Sequence, residues 1–539
     1  MNKLIIPFIF TCLFLQACTT IEDSQNVQPN ILLIMADDMG YSDLGCYGGE
    51  INTPNLDQLA EQGLRFTQFY NGARCCPTRA TLLTGLSPHL AGMGGMVGGR
   101  PADSTHAYQG YLNEQCVTLA EVLKPVGYRN YMVGKWHVGE FRPVFPLDRG
   151  FDKYYGLISG AMNYWNISKG KRKKIHRQFV EDTTNINEQV ANGFYATTAY
   201  SQKAVEYLKG HFNENEDQPF FMYLAHQAPH WPLHAPDSVI AKYRGKYLDG
   251  WSQLRDARYQ RMQEMGIIAP QQGLSPLDED TADWESLRPG QKDTMDLKMA
   301  IYAAMIDIMD QGIGQIIQEL KANDELDNTL IIFLSDNGAS YESGALGQNF
   351  RPDLTGAFGS ENSYHSYGSS WANASNTPYR KFKRYTFEGG VATPMIVRWG
   401  TQIQNGNSLN STLGHITDIM PTILEVSGAS YPTESNGQSI HPLEGRSLVA
   451  VFTGQKDQVR TNEEALIWEH EGNKAVRMGK WKLVKTREIP GWKLFDLEKD
   501  RSELNELSTQ FPEVKTKLIN QYNQWAKKVG VEERGPDDQ

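Results

Sequence analysis

The chain has 539 residues, of which 40% are apolar and 21% charged, and a formal net charge of −11. That length exceeds one compact core and predicts a large domain with a smaller one attached, in a composition typical of soluble globular proteins. The acidic balance excludes nucleic acid as the main partner, since phosphate backbones need a basic surface, but it leaves room for a local cationic pocket.

The N-terminus reads as a targeting segment. Lys3 precedes the apolar stretch 4–15, broken by Pro7, and Leu15-Gln16-Ala17-Cys18 follows. This resembles a bacterial lipoprotein signal, which implies removal of residues 1–17, lipidation of Cys18 and a polar tether over 18–29. The chain would then sit in the bacterial cell envelope, periplasmic or at the outer membrane, with the membrane as a partner through the lipid on Cys18. An ordinary cleaved signal with an incidental Cys18 is the alternative. No later stretch is long and apolar enough to span a bilayer. Of the six cysteines, Cys12 leaves with the signal and Cys18 carries lipid. Cys46, Cys75, Cys76 and Cys116 are too few for a disulfide scaffold and lack zinc-ligand spacing.

Residues 30–35 (Asn-Ile-Leu-Leu-Ile-Met) form a continuous apolar run, the pattern of a strand buried on both faces, and they lead into Asp37-Asp38. A helix is predicted over 53–63, with Thr53 as N-cap and Pro54 at the first helical position. Residues 240–295 are polar and predicted to be an irregular insertion. A longer helix is predicted over 299–320, and a second buried strand over 330–334 leads into Asp336-Asn337. Strands alternating with helices predict an α/β sandwich around a mostly parallel central sheet over 30–427. From about Gly428 the pattern changes to short strand-like runs at 466–468, 475–477, 480–485 and 492–497. A helix follows with Pro512 in its first turn and Val514, Leu518, Tyr522 and Trp525 on one face. Residues 428–539 therefore predict a small α+β subdomain built on an antiparallel sheet.

Asp37, Asp38, Asp336 and Asn337 all offer oxygen, the donor a hard cation prefers, and each pair lies just past a strand where open parallel sheets bind ligands. Adjacent carboxylates repel unless a cation lies between them. Cys75-Cys76-Pro77-Thr78-Arg79 leads into Leu83-Thr84-Gly85, and Pro77 suits the first turn of a helix capped at Gly85. Position 75 then lies at a helix N-terminus, where free N–H groups favour an anion.

The Cys-x-Pro-x-Arg and Leu-Thr-Gly elements resemble the modification motif of the type I, formylglycine-dependent sulfatases, within the alkaline-phosphatase-like superfamily, and segments 228–236 and 363–368 are closest to those of bacterial arylsulfatases. Thr78 stands where many members have serine. The resemblance implies that a sulfatase-maturing enzyme oxidises Cys75 to formylglycine (3-oxoalanine), whose hydrate attacks sulfur. It also implies a calcium ion on Asp37, Asp38, Asp336 and Asn337, with the modified residue at position 75 as a further ligand. Gly134-Lys135-Trp136-His137 resembles an element in which Lys135 holds sulfate and His137 contacts the formylglycine diol; in an extended segment the two side chains share a side. Pro229-His230-Trp231-Pro232 resembles one that places His230 opposite the scissile bond, as proton donor to the leaving oxygen. Lys383, five residues before Glu388-Gly389-Gly390, matches a sulfate-binding lysine, with Arg380, Lys381 and Arg384 as competitors for that register. Glu388 is read as a structural turn, His234 as structural or at most a substrate contact, and Cys76 has no assigned role.

Arg79, Lys135 and Lys383 suit a tetrahedral anionic ester, sulfate or phosphate, so a phosphoesterase or phosphonate monoester hydrolase of the same superfamily is the alternative, and a glycan-binding protein without activity a more distant one. The expected substrate is a sulfated glycan or an aryl sulfate. The basic run 169–177 is either an exosite for a polyanionic glycan or a solvated hairpin tip.

Overall fold

The structure, a computed structural model, describes residues 28–98, 106–169, 177–190, 193–214 and 217–532. The signal segment, Cys18, most of the tether and positions 170–176 of the basic run lie outside the described residues.

The first strand, β1 (Asn30–Asp37), is buried throughout. Its side chains alternate, with Ile31, Leu33 and Met35 entering one core and Leu32, Ile34 and Ala36 the other. Both faces of the sheet are therefore covered, which is why the strand is apolar without a polar stripe. Helix α1 (Pro54–Glu61), strand β2 (Leu64–Tyr70) and helix α2 (Cys75–Thr84) follow. Next come β3 (Arg129–Gly134), β4 (Lys153–Leu157), β5 (Phe179–Glu181), β6 (Thr184–Asn185), α3 (Ala196–Glu214) and β7 (Phe220–Pro229). The domain continues through α4 (Gly250–Glu264), α5 (Pro289–Ala322), β8 (Thr329–Ser335), β9 (Ala392–Arg398), β10 (Ser408–Asn410) and β11 (Gly414–His415).

These strands form one 11-stranded sheet ordered β10-β2-β9-β8-β1-β7-β3-β4-β5-β6, with β11 beside β2. Strands β8, β1, β7, β3 and β4 are mutually parallel, and β9 runs antiparallel to both β8 and β2. Helices α1, α3 and α5 cover one face, through residues such as Leu59, Leu208 and Ile306. Helix α2 covers the other, with Leu82 and Leu83. The carboxyl ends of β8, β1, β7 and β3 open along one edge, and the chain reaches Asp336, Asp37, His230 and Lys135 just there.

The C-terminal sheet has four antiparallel strands, β12 (Ala465–His470), β13 (Asn473–Met478), β14 (Trp481–Lys485) and β15 (Lys493–Asp496). Helix α6 (Pro512–Val529) packs Leu518 and Tyr522 against Val476, Leu483 and Leu494. Pro512 stands in its first turn as expected, and Val514 and Trp525 flank the same contact.

Two expectations need correction. Thr53 precedes α1 but does not cap it through its side chain. Its hydroxyl accepts the Gly45 N–H at 2.9 Å and donates to Asp57, so it ties the preceding loop to the helix instead. The segment 240–295 is not irregular, for it contains α4 and the start of α5. Helix α4 buries Arg255 and Arg258 alongside Trp251 and Met262. Its inward face is part arginine, so it shows no apolar stripe for sequence periodicity to detect.

Candidate active site

Helix α2 opens at Cys75 after an extended Arg74 and closes at Gly85, whose left-handed backbone (φ 71°) directs its N–H to the Thr81 carbonyl. The Thr78 hydroxyl accepts the Gly72 N–H at 2.8 Å, which fastens the turn entering the helix. Cys75 is 2% exposed. A hydrogen bond from Cys76, with Lys135 and His137 close by, holds its thiol well below the ordinary range although burial opposes this.

The predicted cation ligands converge. Asp37, Asp38, Asp336 and Asn337 are fully buried. Asp38 adopts a left-handed backbone (φ 66°), a conformation aspartate tolerates better than most residues. Lys135 Nζ donates to Asp37 at 2.6 Å, Lys383 Nζ to Asp38 at 2.8 Å and Arg79 to Asp336 at 2.8 Å. Two oxygens of the set, Asp37 Oδ1 and Asn337 Oδ1, are buried with no hydrogen-bond partner. Burial lifts Asp37 to about 6 despite Lys135, and burial together with Asp37 lifts Asp336 to about 8. Burial also opposes charge on Asp38, but Lys383 and His230 outweigh it and hold that carboxyl at about 2. Orphaned oxygens beside crowded, buried carboxylates fit a hard divalent cation, which would satisfy the oxygens and relieve the carboxylate repulsion.

His230 follows β7, its Nε2 3.4 Å from Asp38 Oδ2. Its Nδ1 faces the Trp231 carbonyl, an acceptor, so Nδ1 carries the hydrogen and Nε2 is free to exchange a proton. Burial pushes this imidazole down to about 4, with Asp38 opposing. His137 is likewise pushed down to about 4 by burial, and Cys75 opposes that shift.

The Lys135–His137 pair is brought together differently from expectation. The chain leaves β3 at Gly134 (φ 107°) and turns again at His137 (φ 58°), so two-residue alternation does not set the side chains. Backbone bonds fix them instead, from the Lys135 N–H to Ala225 and from the His137 N–H to Ile158. A Cβ at Gly160 would stand 2.5 Å from the His137 ring, so glycine there makes the space for the imidazole. The ring's Nε2 meets Cys76 Sγ at 3.3 Å, which places Cys76, a residue with no role assigned from its motif position, against the site.

The register around Lys383 also resolves. Lys381 pairs with Asp278 at 2.7 Å, Arg384 with Glu471 at 3.2 Å, and Arg380 lies over the Phe387 ring; only Lys383 reaches Asp38. His234 is absorbed by the scaffold, its Nε2 on the Ser363 carbonyl at 2.9 Å and its Nδ1 accepting from the Tyr164 N–H. Glu388 is buried and bound to Lys482, Arg501 and Tyr70.

Sequence reasoning missed the groups around this centre. Asp43 accepts from the Gly40 N–H at 2.8 Å, from the Tyr302 hydroxyl at 2.7 Å and from Arg258 at 2.7 Å, bracing the loop that carries Asp37 and Asp38. Arg258 comes from α4, inside the segment read as irregular. Glu342 and Arg74 stand at the rim, with side chains 18% and 16% exposed.

Comparison with known proteins decides the lineage. The Sulfatase family model matches residues 29–429. This chain belongs to the sulfatase family. A second model, N-sulphoglucosamine sulphohydrolase C-terminal, matches residues 379–528 of this sulfatase. An arylsulfatase of Klebsiella aerogenes is 35% identical over 79% of this chain and 93% of its own length. An uncharacterized sulfatase of Schizosaccharomyces pombe is 33% identical over 96% of both chains. The solved structure of Ps i-CgsB in complex with k-i-k-neocarrahexaose superposes with a TM-score of 0.68 at 27% identity, covering 93% of each chain. The sulfatase is thus a sulfuric ester hydrolase of alkaline-phosphatase-like fold, in a family that generally uses formylglycine and a divalent metal.

Proposed function

We propose that this sulfatase hydrolyses sulfate esters of glycans, and of aryl alcohols where offered, with Cys75 converted to formylglycine and calcium held by Asp37, Asp38, Asp336 and Asn337. One observation carries the reading: Cys75 starts a buried helix at the strand ends where Arg79, Lys135 and Lys383 each pair with one of three buried carboxylates. Sulfated-sugar activity in the family supports the glycan: relatives include the human N-acetylgalactosamine-6-sulfatase, 28% identical over 78% of this chain. Calcium rather than magnesium rests on the family resemblance.

Formylglycine at position 75 would supply, as its hydrate, a hydroxyl nucleophile and a second hydroxyl for release of sulfate. A cation held by Asp37, Asp38, Asp336 and Asn337 would supply positive charge to the anionic ester.

The side chains of this chain do the rest. Arg79, Lys135 and Lys383 are fixed before substrate arrives and oppose negative charge as it gathers on sulfate oxygen. His230, with Nδ1 committed to a carbonyl, presents Nε2 to the ester's bridging oxygen. When protonated it donates there, so a poor alkoxide leaves as an alcohol. Burial lowers its proton affinity, whereas Asp38 and the incoming anion raise it. His137, held neutral by burial, accepts a proton beside position 75. The balance is one water consumed per ester, with alcohol and hydrogen sulfate formed.

The test is the mass of the peptide containing residue 75, from protein made with a sulfatase-maturing enzyme, alongside sulfate release from a sulfated glycan. Loss of sulfur with gain of an aldehyde, together with released sulfate, is the expected result. An unmodified thiol beside a control sulfatase that was converted, with phosphate esters turned over faster, would overturn it. We place the protein in the bacterial cell envelope through lipidated Cys18, supported by the apolar stretch ending in Leu-Gln-Ala-Cys. Fatty-acid labelling that persists in Cys18→Ala would refute that placement.

A further inference from the structure

The buried groups account for the sulfate end of the ester and leave the alcohol end open. The rim beside His230 has a definite chemistry. Trp231 stacks on Phe350 with ring centroids 4.2 Å apart and planes 15° from parallel. Its indole Nε1–H donates to Glu342 Oε2 at 3.1 Å, and the Ser340 hydroxyl binds the same oxygen. The other oxygen, Oε1, lies 3.6 Å from Arg74 and 3.7 Å from Lys383, contacts longer than a hydrogen bond. Glu342 is therefore kept ionised by two cations and fixed in orientation through Oε2, with Oε1 free to accept a hydrogen bond at the mouth of the pocket.

Its position relative to the scissile bond follows from its partners. Trp231 is the neighbour of His230, the group that faces the leaving oxygen, and Lys383 links Glu342 to Asp38. A carboxylate so placed meets the leaving alcohol rather than the sulfate. Unlike Asp37, Asp38 and Asp336, which are fully buried among the residues that would hold the cation, Glu342 lies outside that set and is partly exposed. A carboxylate accepts from hydroxyl groups and repels anions, and like charges brought together in a partly desolvated site discriminate strongly. The indole is itself held in place, stacked on Phe350 and 5.2 Å from the His230 ring at 31°, so its N–H keeps Glu342 in a fixed orientation beside His230.

Building on the sulfatase reading above, we propose that Glu342 and Trp231 form a subsite for the alcohol half. It accepts a sugar residue with a free hydroxyl beside the sulfate ester and rejects one carrying a second sulfate there. Glu342 is the specificity-determining group, and Trp231 positions it.

The experiment uses the full-length, converted protein. Initial rates give kcat/KM for a monosulfated monosaccharide and for its analogue with a second sulfate on the adjacent carbon. The unaltered protein should prefer the monosulfate by about tenfold or more, the scale of one like-charge contact. Glu342→Gln should cut that ratio by about tenfold, mainly through faster turnover of the disulfate. Trp231→Phe keeps a ring for stacking but loses the N–H that orients Glu342, so it should narrow the ratio in the same direction; it carries the test if Glu342→Gln fails to fold. An unchanged ratio in the folded variants, or equal turnover of both sugars by the unaltered protein, overturns the inference. Failure of the sulfatase reading would look different, because the converted protein would then release sulfate from neither sugar nor from an aryl sulfate.

Discussion

The C-terminal sheet is held to the catalytic domain by a buried charge cluster whose removal should be costly. Lys482 Nζ on β14 lies 2.8 Å from Glu388 and 2.9 Å from Glu503, and all three side chains are fully buried. Arg501 and the Tyr70 hydroxyl also bind Glu388, at 3.0 and 2.7 Å, and the Glu388 N–H donates to Glu503. Lys482→Met deletes one cation and leaves two buried carboxylates, of which Glu388 keeps Arg501 while Glu503 loses its cation. Breaking a buried pair in this way costs about 3–5 kcal/mol, because the partner charge stays behind. The cluster can retreat by protonating Glu503, which burial raises to about 7 even with Lys482 present. A carboxyl whose folded pKa exceeds its unfolded value contributes stability at low pH and loses it as pH rises through the folded pKa. Without Lys482 that pKa rises further, so the penalty should be largest near pH 8 and shrink toward pH 5. Urea melts at both pH values, with amide exchange over β12–β15 to report opening of this sheet alone, measure it. Lys482→Met combined with Glu503→Gln should recover much of the loss, since the second buried carboxylate is gone and Glu388 keeps Arg501 and Tyr70. A penalty below about 1 kcal/mol at pH 8, or one independent of pH, would refute the reasoning.

Further outcomes follow from the site and the core. Gly160→Ala places a methyl 2.5 Å from the His137 ring, so kcat should fall on the order of a hundredfold with little change in melting temperature; full activity would show that the ring has room to move. Chelation should abolish activity and lower the melting temperature, and calcium should restore both, because Asp37 Oδ1 and Asn337 Oδ1 are buried without a hydrogen bond; a melting temperature indifferent to the chelator would count against the cation. Cys75→Ala should remove sulfate release while leaving the melt near that of the parent, as the side chain packs at a helix start. His226 is buried with neither ring nitrogen hydrogen-bonded, and burial pushes it down to about 3. A histidine with a depressed folded pKa contributes stability above about pH 6.5 that is lost as pH falls, about 2–3 kcal/mol by about pH 4.5. His226→Phe should therefore flatten the acid limb of the stability profile, and an unchanged acid limb would show that His226 is hydrated or paired.

The parts of the molecule legible in the sequence are those where one short segment carries both the fold signal and the chemistry. Asp37-Asp38 and Asp336-Asn337 stood out because each closes a strand buried on both faces, and Cys75 because a proline-started, glycine-stopped helix follows it. The long helix was recognisable from apolar spacing over 299–320, although its polar first turns, from Pro289, were not. Helix α4 was illegible for the opposite reason: an inward face built on Arg255 and Arg258 looks like solvent-exposed surface until Asp43 and Glu50 are seen opposite it.

The same distinction separates the two ends of the substrate. Sulfate is a fixed object, so its binding groups recur in compact motifs that can be read locally. The alcohol varies, and the groups facing it come from segments far apart in the chain, such as Trp231 after β7 and Glu342 and Phe350 after β8. No spacing rule joins a tryptophan to a carboxylate 111 positions later. Their hydrogen bond exists because parallel β7 and β8 flank β1 and release their loops on the same edge of the sheet. Substrate choice in this fold is therefore a property of loop convergence. It should be transferable: exchanging the Ser340–Glu342 turn between sulfatases that share the strand order should carry the preference for a neighbouring hydroxyl or sulfate, while exchanging the Cys75 helix should not.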